Sequence, residues 1–149
     1  MTLPWLIATL HLLALAIGSA GVFLRGRALK TAKDQNDVPA ILRADDLWGL
    51  AGLLWLVTGV WRAFFGIEKG TEYYMENPLF HVKLGLFLLL LGIEMIPVWT
   101  LVGWRLKRRR GEPVDLSKAR SLARISHIEF GIVVIIVFLA TAIARGIRP

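Results

Sequence analysis

Residues 3–24 read LPWLIATLHLLALAIGSAGVFL, a run without a single charged side chain and with His11 as its lone titratable group. At ~1.5 Å per residue, a helix of this length reaches across the ~30 Å hydrocarbon core of a bilayer. A helix resting on a soluble core would alternate an apolar stripe with a polar face, and this run does not. Three further apolar blocks follow. The second covers residues 47–66 with Arg62 near its end, the third covers 79–104 and carries Lys83 and Glu94, and the fourth covers 125–144 with His127 and Glu129 near its start. The spacing predicts an all-α integral membrane protein, a single domain over residues 1–149 whose four transmembrane helices (about 3–24, 47–66, 79–104 and 125–144) form an antiparallel four-helix bundle.

Composition agrees with this reading. The chain has 149 residues, 56% of them hydrophobic, and a mean hydropathy of +0.59, above the 45–50% apolar content of ordinary soluble domains. No cysteine is present, which excludes disulfide frameworks, thiolate metal sites and thiol catalysis. The net charge of +7 needs no nucleic-acid partner, because the basic residues sort by connector. Arg25, Arg27, Lys30, Lys33 and Arg43 follow the first span, and Arg105 to Arg110 with Lys118, Arg120 and Arg124 follow the third. The connector after the second span is acidic, with Glu68, Glu72 and Glu76 against Lys69. The positive-inside rule then places the first and third connectors in the cytoplasm and both termini outside, with an inner (plasma) membrane expected. Charge follows rather than precedes the first apolar run, the reverse of a cleaved secretory signal, so that run is expected to remain as a helix. Asp45 and Asp46 are expected to cap the second helix, Pro78 to open the third, Pro97 to bend or loosen it, and residues 31–40 to form a polar, flexible loop.

Small residues at three- and four-residue steps mark packing faces in a membrane. On span one these are His11, Ala14, Gly18, Gly21 and Arg25; on span two, Gly52, Trp55, Gly59, Arg62 and Gly66. On span three His81, Gly85 and Gly92 share one side and Lys83 and Glu94 the other, which leaves open which side is interior. Titratable groups inside a bilayer are functional candidates because burying them costs several kcal/mol. Counting from the outer helix ends, His11 lies roughly 10 Å deep, Arg62 about 6 Å and Lys83 about 7 Å. Glu94, His127 and Glu129 form an inner layer alongside Asp45 and Asp46 at the cytoplasmic edge, with ordinary cytoplasmic exposure expected for His127 and Glu129. The outer layer suits a haem b or another porphyrin, with His11 as iron ligand, His81 as a second candidate, and Arg62 and Lys83 facing propionates. Lys83 and Glu94 are the candidate catalytic or proton-relay groups. No HxxxH or ExxH pair, phosphate loop or GxSxG motif occurs.

The stretch from Asp45 to Pro97, DDLWGLAGLLWLVTGVWRAFFGIEKGTEYYMENPLFHVKLGLFLLLLGIEMIP, together with LHLLALAIG at 10–18, resembles a bacterial family of membrane proteins of unknown function over nearly the whole chain. WRAFFGIEKGTEYY is its most specific segment. The resemblance implies that His11, Arg62, Lys69, Asn77, Lys83 and Glu94 belong to a recurring pattern, whereas the position of His81 is often another aromatic. His11 and FHVKLGL (80–86) also resemble, more loosely, the J-type membrane protoporphyrinogen oxidases and the copper-resistance D-type membrane proteins. The former would use His11 and Lys83 near a haem or porphyrin, although the Leu-Pro-Arg stretch of those oxidases is missing. Three functions are therefore expected as alternatives: a haem- or porphyrin-binding redox protein, a small proton or metal-ion transporter, and a non-catalytic membrane subunit. The partners expected are the lipid bilayer and either a second copy or another membrane protein.

Overall fold

The computed structural model describes residues 2–65 and 71–147, and within them every regular element is helical. Helix α1 spans Thr2–Thr31, α2 spans Val38–Phe64, the short α3 spans Thr71–Met75, α4 spans Pro78–Arg109 and α5 spans Ala119–Ala144, with a 3-10 turn at Leu116–Lys118. Four of these are long and apolar enough to cross a membrane. Each runs beyond the apolar block that announced it, so charges thought to lie in connectors sit on helices. Pro78 occupies the first turn of α4, and Asn77 caps it by accepting from Leu79 N at 3.0 Å. Pro97 is buried within α4, which remains helical through it.

Asp45 and Asp46 do not cap α2: the helix already starts at Val38, a full two turns earlier, with proline in its first turn. Asp37 stands at that boundary, but its carboxylate turns back to accept from Lys33 N and Asp34 N and closes the connector at residues 32–37. Those two backbone donors hold its carboxyl below the usual aspartate range. At the far end of α4, Gly111 adopts φ 73° and Glu112 N donates to Lys107 O, a left-handed cap that ends the helix.

The helices meet in the order α2–α1–α5–α4. Antiparallel register is plain along α1 and α2, where Arg25 faces Asp45, Gly18 faces Ala51 and Trp48, and His11 faces Thr58. Close approach of the two backbones is possible only because α1 presents small residues: a Cβ on Gly21 would lie 2.8 Å from Trp48 N. Helices α2 and α4 meet instead through long side chains, with the Trp55 and Phe87 rings 5.4 Å apart. At the end opposite the connectors 32–37 and 110–118, Tyr73 donates to Ile143 O and Asn77 Nδ2 to Ile147 O, tying α3 and the start of α4 to the end of α5.

Burial runs opposite to that of a soluble domain. Trp99 and Phe138 are each 72% exposed, whereas Arg25 and Glu129 are 0% exposed. Leu12, Leu50, Leu53 and Leu88 also point outward. Water would not tolerate this surface, and hydrocarbon would. Inside are two apolar layers. One, near the basic connectors, comprises Leu29, Val38, Ile41, Leu101, Trp104, Val114 and Leu122. The other comprises Ala14, Val22, Trp48, Trp55, Leu90, Ile132, Val133 and Ile136. In sequence, the residues between these layers on the four spanning helices include Arg25, Asp45, Glu94 and Glu129.

Candidate functional site

An arginine in the middle of four packed helices must satisfy five N–H donors without water. Arg25 does so with partners from every other spanning helix. Its Nη1 donates to Asp45 Oδ1 on α2 at 2.7 Å and to Glu94 Oε1 on α4 at 2.8 Å. Its Nη2 donates to Glu94 Oε2 at 2.7 Å and to Glu129 Oε2 on α5 at 2.6 Å. Its Nε donates to Ser126 Oγ on α5 at 3.0 Å. Glu94 therefore receives the two-pronged fork that a guanidinium alone can offer. All five donors are used.

The acceptors are not so fully served. Glu129 Oε1 is buried and accepts no hydrogen bond, although the partner oxygen of the same carboxylate shares Nη2 with Glu94. A second guanidinium, Arg105 on α4, donates to Asp45 Oδ2 at 2.8 Å, to Asp46 Oδ1 and to Leu42 O. The ion pairs thus form a ladder whose side-chain exposure falls from 59% at Asp46 through 26% at Arg105 and 12% at Asp45 to nothing at Arg25 and Glu129. Counting formal charges, two guanidiniums face four carboxylates. Their mutual attraction offsets the cost of removing them from water only while both guanidiniums are in place.

The expected outer layer looks different. The Trp55 indole can only donate, so its 3.0 Å contact makes His11 Nε2 the acceptor and leaves the proton on Nδ1. His11 Nδ1 then donates to Thr58 Oγ1 at 2.9 Å, and Thr58 passes its own hydroxyl proton to Leu54 O at 2.6 Å. Both ring nitrogens are engaged by α2, and Gly59 lies so close that a Cβ there would be 3.2 Å from His11 Cε1. A haem iron needs an imidazole lone pair, and in this arrangement His11 has none to give. His81 is exposed and its Nε2 donates to Met75 O at 2.8 Å, fastening α3 to α4. Held in this way, His11 does not fit the part of an iron ligand. Arg62 is half-buried near the end of α2, and Lys83 places its ammonium 5.2 Å from the Phe80 ring centroid. Lys69 lies outside the described residues. Among the described residues, no three of His, Asp and Glu are placed to hold a metal ion.

Glu94 is the one expected site residue that the cluster contains. The open question about α4 is thereby settled: the interior stripe runs Phe80, Lys83, Phe87, Leu90, Glu94, Pro97, Leu101, Trp104 at three- and four-residue steps, while Gly85 and Gly92 meet nothing within 4 Å. Glu129, expected to be exposed, is wholly buried because α5 begins at Ala119, ten residues earlier. His127 lies at the bundle surface, its Nδ1 donating to Ala123 O and its ring beside Gly26 and Phe23 of α1. Sequence reasoning set Asp45 and Asp46 beside the inner layer but missed Arg25, Ser126 and Arg105 as members of a site. The signal lay in Arg25 itself, in step with Ala14, Gly18 and Gly21.

Comparison with known proteins gives one result beside two blanks. No curated protein and no solved structure matches the chain. A family model does, over residues 3–148, under the description "Predicted membrane protein (DUF2214)". Four apolar spanning helices, an outward-facing hydrocarbon surface and a match over almost every residue lead to the same place: the chain belongs to this family of multi-pass membrane proteins.

Proposed function

We propose that the protein handles protons within the membrane, the Arg25 cluster holding an exchangeable proton on the Glu94–Glu129 pair. The observation that carries this reading is the mismatch at one guanidinium. Two glutamates share Nη2, four carboxylates face two guanidiniums, and the buried Glu129 Oε1 has no donor. One proton bound to the pair supplies the missing donor and reduces the excess of negative charge. The groups that bear on it are Arg25 from α1, Asp45 and Asp46 from α2, Arg105 from α4 and Ser126 from α5. The ladder Asp46–Arg105–Asp45–Arg25 connects this pair to the basic end of the bundle, which by the positive-inside rule faces the cytoplasm of the plasma membrane.

The test uses protein in liposomes. Glu129→Gln is expected to abolish proton flux and to remove a protonated-carboxyl infrared band that responds to pH, while the variant folds with wild-type or greater stability. Glu94→Gln is expected to be costlier, because it surrenders the forked pairing and leaves two N–H groups poorly served, by roughly 1–3 kcal/mol. Labelling of a Gln35→Cys variant from the cytoplasmic side only fixes the orientation assumed; the chain has no other cysteine to confuse it. A second reading, a non-catalytic membrane subunit, is favoured by the apolar layer of Val22, Trp48, Leu90 and Ile132 beyond the cluster. It predicts no flux and an infrared spectrum indifferent to pH.

A further inference from the structure

Two arginines at the basic end are treated quite differently from Arg25 and Arg105. Arg27 on α1 and Arg43 on α2 are exposed, and no carboxylate among the described residues pairs with either. Both line the same groove of about 410 Å³ on the outer seam of α1 and α2, whose remaining walls are Leu24, Ala28, Thr31, Ala40, Ala44 and Leu47. The floor is therefore almost wholly apolar, and the only charges on it are these two guanidiniums. Helical phase explains the arrangement. Leu24, Arg27, Ala28 and Thr31 fall on one face of α1, away from the inward-facing Arg25. On α2, Ala40, Arg43, Ala44 and Leu47 fall likewise beside Asp45 and Asp46.

Arg27 and Arg43 lie within two helical turns of the connector at 32–37, outside the apolar runs that end at Leu24 and begin at Leu47, the level at which hydrocarbon would give way to headgroups. Alanines keep its floor low enough for a chain of methylenes, and arginine is the side chain that pairs with phosphate oxygens through two parallel N–H groups. We propose that the α1–α2 seam is a binding site for an anionic phospholipid. An acyl chain lies along Leu24, Ala28, Ala44 and Leu47, and the headgroup phosphate sits between Arg27 and Arg43. Arg25 and Arg105, by contrast, are already committed to carboxylates. Nothing here depends on whether the buried cluster moves protons.

The experiment is native mass spectrometry of the full chain released from mixed phosphatidylglycerol–phosphatidylcholine nanodiscs. Wild type is expected to retain phosphatidylglycerol in preference to phosphatidylcholine by roughly tenfold or more, from two arginines at the membrane surface. The Arg27→Gln/Arg43→Gln variant, checked for unchanged helicity, is expected to lose that preference. An Arg109→Gln/Arg110→Gln variant removes equal charge from the same end and is expected to keep it. Equal retention of the two lipids by wild type overturns the proposal, as does an equal drop in both double variants, which would reduce the effect to general surface charge. Displacement of the retained lipid by millimolar inorganic phosphate would overturn it too, since the acyl chain would then contribute nothing.

Discussion

Replacing Arg25 by methionine, which matches its length but carries no charge, is expected to cost about 3–5 kcal/mol of stability, enough to unfold much of the protein in mild detergent. The reason is what stays behind. Asp45, Glu94 and Glu129 would lose their common donor while still buried among four helices, and Ser126 would lose its partner as well. Arg105 can serve Asp45 but reaches neither glutamate in the native geometry. Arg25→Lys keeps the charge and has three donors where five are used, so it is expected to fall between wild type and Arg25→Met. Reversible unfolding followed by tryptophan fluorescence measures both, with six tryptophans as reporters. Equal stability of Arg25→Met and wild type would mean that the carboxylates do not depend on the guanidinium.

The second large effect is steric. Gly21 faces backbone rather than a side chain on α2: its absent Cβ would sit 2.8 Å from Trp48 N and 3.1 Å from Trp48 Cα. Backbone cannot rotate aside, so Gly21→Ala must push α1 and α2 apart. Such overpacking typically costs about 1–3 kcal/mol, and here it acts one turn from Arg25, where separation also stretches the pairing to Asp45. Gly21→Leu is expected to prevent assembly. Gly85 and Gly92 provide the control, since a Cβ at either meets nothing within 4 Å. Alanine at these two positions is expected to leave stability unchanged or to raise it by about 0.5–1 kcal/mol through helix propensity. Parallel unfolding curves of the three alanine variants decide the point. A Gly21→Ala curve overlying those of Gly85→Ala and Gly92→Ala would contradict the close packing of α1 and α2.

Much of this was readable from residue order alone. The four spans, the inward face of α1 through Ala14, Gly18 and Gly21, and Pro78 at the start of α4 all follow from local rules of hydropathy and spacing. The face of α2 was read in part: Trp55 is buried and Gly59 packs against His11 as expected, whereas a Cβ at Gly52 meets nothing within 4 Å, the buried stripe runs through Ala44, Trp48, Ala51, Trp55 and Thr58, and Gly66 lies outside the described residues. The site itself was hidden by where an apolar run stops. The uncharged block ends at Leu24, which made Arg25 look like the first residue of a basic connector, while the helix continues to Thr31. Asp45 and Asp46 looked like caps for the same reason, since an apolar run begins only after them. Hydropathy windows end at charges, but helices do not end there when the charges neutralise one another across the bundle. For the outer layer, depth placed His11, Arg62 and Lys83 at one level but says nothing of azimuth, and His11 turns to Trp55 and Thr58 on α2.

One measurement bears most directly on the claim that these buried charges form a mutually dependent set inside the bilayer. It is the stability of Arg25→Met/Glu94→Gln/Glu129→Gln in bicelles beside that of Arg25→Met alone. Removing the stranded carboxylates along with their donor is expected to recover most of the lost stability, because neutral amides of matching shape owe far less for desolvation than unpaired carboxylates. If the triple variant is instead no more stable than Arg25→Met, or is weakened by the sum of the separate losses, the three side chains act independently and the cluster is not the unit described here.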